Sequence, residues 1–109
     1  MNFSEYQIEA MKTANPKNNQ QDKVMYGILG LFGESGEVAE MLKKSLRDGI
    51  ELNRENLVKE LGDVLWYMAY ICNTFDIDMQ DAADGNIKKL RARHGEKYSG
   101  VGNRTGDGA

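Results

Sequence analysis

The chain has 109 residues, 40% of them hydrophobic, and its 14 basic and 17 acidic residues give a net charge of −3. This length suits a single domain, and the acidic balance argues against a nucleic-acid polymer as the main partner, because a phosphate backbone requires a basic face. No secretory signal or run of ~18 apolar residues is visible, and a lone cysteine excludes an intrachain disulfide, so we expect a cytoplasmic protein without a membrane partner.

The first predicted element is a helix over about residues 3–14. Ser4 and Gln7 have the spacing of a capping box, in which two side chains satisfy the free backbone groups of a helix start. Asn15 precedes the only proline, Pro16, and a residue before proline avoids helical backbone angles. The helix is therefore expected to end there.

The second predicted helix covers about residues 22–47 and ends at Gly49, a suitable C-terminal cap. Its apolar residues recur at steps of three and four, which is typical of an amphipathic helix. They are Ile28, Leu31, Val38, Leu42 and Leu46.

This helix also contains the stretch GILGLFGESGEVAEML, which has a glycine at every third position from Gly27 to Gly36. The stretch is not a phosphate-binding loop, because it lacks the Gly-Lys-Ser/Thr ending and follows no strand. Each glycine weakens a helix by up to ~1 kcal/mol relative to alanine. We expect that weakness to be offset by close neighbours: a ligand near Gly30, and another helix or subunit near Gly36.

The third predicted helix covers about residues 54–75 after the N-cap Asn53, and the fourth covers about residues 79–94 after the N-cap Asp78. Four helices with short connections and no strand predict an all-α, four-helix bundle-like fold with two long central helices packed together. We expect residues 1–98 to form the domain and residues 99–109 a disordered tail. A chain this small often completes its core by oligomerisation.

The two central helices each carry a pair of carboxylates three residues apart, Glu34 with Glu37 and Glu60 with Asp63. Residues at this spacing lie only ~60° apart on one helix face. In both helices the first carboxylate flanks the apolar stripe, so the four carboxylates are predicted to converge along one edge of the seam between the helices.

Four clustered carboxylates repel one another unless a cation neutralises them. Oxygen ligands without histidine or cysteine favour Mg²⁺, with Mn²⁺ as a substitute, and carboxylate-bound Mg²⁺ retains positions for substrate phosphates. A di-iron bundle would require a Glu-x-x-His motif on two helices, and the chain has one histidine, His94, and no such motif.

The spacing E-x-x-E, 22 residues, E-x-x-D, with the phrases GESGEVAE and KELGDVLWYMA, resembles the MazG-like nucleoside triphosphate pyrophosphohydrolases. The resemblance continues through NIKKLRARHGEKYS and covers most of residues 4–99. It implies Mg²⁺-dependent cleavage of a nucleotide between its α and β phosphates, giving the monophosphate and pyrophosphate. It also implies a homodimer or tetramer with sites near subunit contacts.

The resemblance places the metal ligands on Glu34, Glu37, Glu60 and Asp63, and we favour Glu37 as the residue that activates or orients the attacking water. It places substrate contacts on Asn86, Lys89, Lys97 and Tyr98; the alternative for each basic residue is a solvated helix end that suits cations.

Trp66 lies far from the apolar stripe on the helical wheel, so we expect it at a subunit interface or stacked on a nucleobase rather than in the core of its own chain. Tyr67, beside the carboxylate edge, is a comparable candidate for the nucleobase, and Tyr6 and Gln7 are further candidates for a base pocket. The alternative function is a non-catalytic dimeric helical bundle that presents an acidic face to a protein partner.

Overall fold

The computed structural model describes residues 1–97 of the chain. Within this part there are four α-helices and no strand, in the order α1 (Phe3–Met11), α2 (Gln20–Asp48), α3 (Arg54–Thr74) and α4 (Met79–His94). The predicted all-α, four-helix class is confirmed, whereas the predicted disordered tail falls outside the described residues. Among the described helices, none combines the length and the apolar character that a membrane crossing requires.

Each helix begins at an Asn or Asp side chain that accepts a hydrogen bond from a backbone N–H of the first turn. The predicted caps Asn53 and Asp78 are confirmed, but the predicted capping box of Ser4 and Gln7 is wrong. Asn2 and Glu5 form that box instead, because the helix begins closer to the N-terminus than the Ser4 pattern indicated.

The second helix begins at Gln20, two residues earlier than predicted, since the Asn19 side chain caps it. Its end is set by Gly49, which has a φ of 64° in the left-handed region that glycine adopts readily. The turn at residues 49–53 then reverses the chain, and α3 returns antiparallel along α2.

Two glycines of α2 lie directly against side chains of α3. A Cβ atom built on Gly27 would lie 2.8 Å from Cγ1 of Ile71, and one built on Gly30 would lie 2.0 Å from Cε1 of Tyr67. The prediction that a ligand approaches Gly30 is therefore wrong, because the ring of Tyr67 occupies that space. Around Gly33 and Gly36 no heavy atom lies within 4 Å of such a Cβ atom.

One of the contacts that attach α1 to the rest of the fold is made by Gln7, whose side chain packs against the turn between α3 and α4 and is 8% exposed. Its amide nitrogen donates to the carbonyl of Ile77 at 2.9 Å, and its amide oxygen accepts from the backbone N–H of Met79 at 2.8 Å. Gln7 thus ties α1 to the α3–α4 turn, and both ends of its amide are already engaged, which is contrary to the base-pocket role considered for it.

The buried core within residues 1–97 is small and centres on Ala10, Ala69 and Met79. The bundle is not closed, because α4 packs against α1 and α3 but has no contact with α2. Part of the predicted apolar stripe stays accessible: Leu42 is 44% exposed and Leu46 is 86% exposed. Outside that stripe, on the side of α2 opposite α3, Phe32 is 72% exposed.

Replacing Gln7 by alanine is expected to destabilise the fold by about 2–4 kcal/mol, because it leaves two backbone groups of the α3–α4 turn without their partner in a buried setting. Urea denaturation followed by circular dichroism measures the loss. The matched control is Gln20→Ala: the Gln20 amide donates to the Thr74 carbonyl at an exposed position, so its loss should cost less than about 1 kcal/mol. Equal losses for the two variants would contradict the role assigned to Gln7.

Candidate metal centre

The antiparallel register of α2 and α3 brings together carboxylates that are far apart in sequence. One carboxylate oxygen from each of Glu34, Glu60 and Asp63 lies within 4.8 Å of the others. Glu34 and Glu60 are partly buried and Asp63 is exposed. Three of the four predicted ligands thus meet at one edge of the seam between the helices.

The charges in this cluster act most strongly on Glu34. Partial burial raises the pKa of its carboxyl, and the negative charges of Asp63, Glu60 and Glu37 raise that pKa further, as does a hydrogen bond between the Glu34 and Glu60 side chains. Each of these causes disfavours the ionised form. The site therefore concentrates negative charge, and within residues 1–97 no positive side chain contributes to the pKa of Glu34.

Glu37 lies outside the group of three. It is exposed, one turn further along α2 than Glu34, and acts on the cluster through its charge. Its assignment as a ligand and as the residue that activates water stays a prediction.

The donor set fits a hard divalent cation. Its atoms are all carboxylate oxygens, which suit Mg²⁺ and Mn²⁺, and they lie on two helices that fix their relative positions. A bound cation would remove the repulsion that raises the pKa of Glu34. The exposed side of Asp63 leaves the cluster open to solvent and to a ligand.

The carboxylates open onto a cleft of about 370 Å³. Two carboxylates and three aromatic side chains line most of the cleft. It therefore presents negative charge next to flat aromatic surfaces. Its lining residues are Thr13, Tyr26, Glu34, Asp63, Trp66 and Tyr67.

The predicted exclusion of Trp66 from the core of its own chain is wrong. Its indole packs against the core cluster, and its Nε1 donates to the hydroxyl of Thr13 at 2.9 Å and to the carbonyl of Ala10 at 3.2 Å. The helical wheel suggested otherwise because it considered α2 alone as the partner of α3, whereas α1 covers a second face of α3. Trp66 also lines the cleft. The same side chain therefore contacts α1 and the turn after it and forms part of the cleft wall.

Tyr67 lies in the cleft wall as the sequence suggested, and the structure adds Tyr26 and Thr13, which sequence reasoning missed. Tyr26 precedes Gly30 by one turn on the same side of α2, which is a signal that the helical wheel could have supplied. Thr13 lies in the turn after α1, where no periodic pattern applies. Tyr6 lies close enough to Asp63 for that charge, together with the larger effect of burial, to raise the pKa of its hydroxyl.

The other predicted substrate contacts lie elsewhere. Asn86 and Lys89 belong to α4 and Lys97 follows it, and none of the three lines the cleft at Glu34. Tyr98 falls outside the described residues. The proposed basic contacts Lys89 and Lys97 therefore lie outside the lining of the cleft that holds Glu34 and Asp63 in the same chain.

The raised pKa of Glu34 has a consequence for stability without metal. Because the folded chain holds the Glu34 proton more tightly than the unfolded chain, stability falls as pH rises from below the ordinary glutamate value of about 4.3 through the raised one. In the presence of a chelator, Glu34→Gln should be more stable than the wild type at pH 7, and the difference should vanish by about pH 4. Chemical denaturation at the two pH values measures this.

The matched control is Glu40→Gln on the same helix. A hydrogen bond and the positive charge of Lys43 lower the pKa of Glu40, so neutralising Glu40 should give no gain in stability at pH 7. A chelated Glu34→Gln variant less stable than the wild type at pH 7 would contradict the repulsion described here.

Two sequence comparisons relate the chain to known proteins. The sequence model of the MazG nucleotide pyrophosphohydrolase domain matches residues 26–97, which include all four carboxylates. The Gene 37 protein of Mycobacterium phage L5 is 39% identical over 115 residues, covering 98% of this chain and 98% of the phage protein. A search of the solved structures finds no match. The chain therefore belongs to the family of proteins that contain the MazG nucleotide pyrophosphohydrolase domain.

Proposed function

We propose that the protein is a Mg²⁺-dependent nucleotide pyrophosphohydrolase, which cleaves (deoxy)nucleoside triphosphates between the α and β phosphates and releases a nucleoside monophosphate and pyrophosphate. The observation that carries this proposal is the convergence of Glu34, Glu60 and Asp63 within 4.8 Å in a MazG domain. The aromatic cleft next to this cluster supports a substrate that joins a flat base to a charged phosphate chain.

In this proposal Glu34, Glu60 and Asp63, together with Glu37, hold the metal ion. When bound, Mg²⁺, or Mn²⁺ in its place, supplies positive charge that compensates the phosphate oxygens of the substrate. The cluster suits this task because burial and the neighbouring negative charges together raise the pKa of Glu34, and a bound cation would favour the ionised carboxylate that both causes oppose.

Glu37 is assigned to the attacking water. The water oxygen forms a bond to one of the two phosphorus atoms of the α–β bridge, the bond to the bridging oxygen breaks, and the water proton passes to the Glu37 carboxylate. Glu37 suits this role because it is exposed and lies outside the close group of three, so a carboxylate oxygen is available to accept a proton.

The nucleoside is proposed to lie against Tyr67 and the cleft face of Trp66. Asn86, Lys89, Lys97 and Tyr98 remain the proposed contacts to the phosphates. Because α4 has no contact with α2 in the same chain, these residues would meet the phosphates at a site to which two subunits contribute.

We infer that a second copy covers the outer face of α2, in a homodimer or in a tetramer built from dimers. Met25, Leu29 and Phe32 follow one another at steps of four and three on the side of α2 that faces away from α3, and their exposures are 55%, 65% and 72%. A helix that is apolar on two opposite sides requires a partner on each. Contact with a second copy would also bring the acidic cluster of one chain near elements of another.

The activity is tested by measuring pyrophosphate release from a panel of ribo- and deoxynucleoside triphosphates with and without Mg²⁺. We expect Mg²⁺-dependent release by the wild type, and a loss of about 10²-fold or more in Glu37→Gln and in Asp63→Asn, the scale of a lost catalytic acid–base group or charge-stabilising contact. Circular dichroism should show unchanged helicity in both variants.

Glu55→Gln is the matched control, since it removes an exposed carboxylate at the start of α3 and should leave the rate unchanged. Absence of pyrophosphate release from every triphosphate would overturn the proposed activity and favour the non-catalytic acidic bundle. Full activity in both Glu37→Gln and Asp63→Asn would overturn the assignment of these two residues.

The oligomeric state is tested by sedimentation velocity. The double substitution of Leu29 and Phe32 by aspartate places two charges on the outer face of α2 and should convert an oligomer into monomers, because burying unpaired charges is strongly unfavourable. Lys17→Asp, in the loop before α2, changes the net charge by the same amount and should leave the oligomer intact. A sedimentation coefficient that is the same for the wild type and the double variant would contradict the inferred interface.

A further inference from the structure

We propose that Gly30 is a positioning residue for nucleoside recognition: by lacking a side chain it seats the ring of Tyr67 on α2 and brings the Tyr67 hydroxyl to that of Tyr26, so that the two tyrosines form one wall of the cleft. This inference rests on the proposed function, because it assigns the nucleoside half of the substrate to that wall. It adds two residues, Gly30 and Tyr26, to the site.

The packing at Gly30 leaves no room for any side chain. A Cβ atom on Gly30 would lie 2.0, 2.3 and 2.5 Å from Cε1, Cδ1 and Cζ of Tyr67, which are the atoms of a rigid ring rather than the end of a flexible chain. Even a methyl group would therefore displace the ring. A Cβ atom built on Gly33, one turn further along the same helix, would have no atom within 4 Å, so the contact with the Tyr67 ring does not extend to that glycine.

Aromatic neighbours hold the Tyr67 ring on its other sides. Its centroid lies 5.7 Å from that of Tyr26, with the planes tilted by 50°, and 5.0 Å from that of Trp66 in an edge-on arrangement. The Tyr67 hydroxyl donates to the Tyr26 hydroxyl at 3.4 Å. A ring pushed away from Gly30 would disturb both of these contacts.

The tyrosine pair has chemistry that suits a nucleoside. Two hydroxyls carry two donor hydrogens, and their mutual hydrogen bond uses one, so the Tyr26 hydroxyl has a donor for a sugar or base oxygen. Tyr26 is 47% exposed and lines the cleft with Glu34 and Asp63. The aromatic faces offer stacking to a base, while the carboxylates lie where the phosphates and their cation would bind.

The Tyr67 hydroxyl remains protonated in this setting. Its hydrogen bond with Tyr26, followed by burial and by the negative charges nearby, raises the pKa of Tyr67 to about 12. The Tyr67 hydroxyl is thus an uncharged hydrogen-bonding group next to the acidic cluster. This arrangement separates nucleoside recognition, which is assigned to the tyrosines, from phosphate and metal binding, which is assigned to the carboxylates.

That separation gives a direct test with two ligands. Isothermal titration calorimetry with Mg²⁺ compares a nucleoside triphosphate analogue, in which a methylene group replaces the α–β bridging oxygen, with inorganic tripolyphosphate, which has no nucleoside. Gly30→Ala should weaken binding of the analogue by about tenfold, the scale of one lost base–aromatic contact, and should leave tripolyphosphate binding unchanged. Gly85→Ala, in α4 with open space around the glycine, should bind both ligands as the wild type does.

The pair Tyr67→Ala and Gly30→Ala/Tyr67→Ala shows whether Gly30 acts through Tyr67, and it decides the matter even where Gly30→Ala alone fails to fold. With the ring removed, the alanine has nothing to displace, so both variants should bind the analogue equally. A further loss in the double variant would overturn the proposal.

Wild-type affinity of Gly30→Ala for the analogue, or an equal loss for both ligands, would also overturn the role of Gly30 and leave the proposed function standing. Failure of the wild type to bind either ligand would instead overturn the proposed function, and this role with it.

Discussion

The packing of α3 side chains against Gly27 and Gly30 of α2 is the contact beside which the site is built. The ring of Tyr67 lies against α2 at Gly30, and the carboxylates of Glu34 and Asp63 meet one turn further along the two helices. The antiparallel register then places Glu34 opposite Asp63 and Glu60. Two glycines that weaken an isolated helix are therefore compensated by contacts between helices, and the same contacts position the acidic cluster.

The cluster shows how such a site opposes folding in the absence of its ligand. Burial, followed by the negative charges of Asp63, Glu60 and Glu37, raises the pKa of Glu34, so the chain retains an unfavourable charge arrangement that binding of a cation would relieve. The core of the described residues, centred on Ala10, Ala69 and Met79, is small. The fold consequently depends on hydrogen bonds between elements, such as those of Gln7 to the α3–α4 turn. These polar contacts provide stabilisation that a larger apolar core would otherwise provide.

Helix positions and the acidic face could be predicted from the sequence because they depend on periodicity and local caps. The fourth helix, Met79–His94, has the predicted bounds, and Glu34, Glu60 and Asp63 converge as their spacing indicated. The packing of α1 could not be predicted in this way. A helical wheel describes one helix against one partner, whereas Trp66 hydrogen-bonds to Thr13 and Ala10 on a third element. Tertiary contacts of this kind leave no periodic trace, which is also why Thr13 was missed.

The basic residues proposed to contact the phosphates lie outside the cleft of their own chain. In a single chain α4 has no contact with α2, and neither Lys89 nor Lys97 lines the cleft that holds the acidic cluster. Leu29 and Phe32 are exposed apolar residues on the outer face of α2. Association through the outer face of α2 would bury apolar surface. It would also bring charged elements of two chains together, and both effects would favour a site to which two chains contribute. Such an assembly would account both for the small core of the single chain and for the position of Lys89 and Lys97 outside the lining of its cleft.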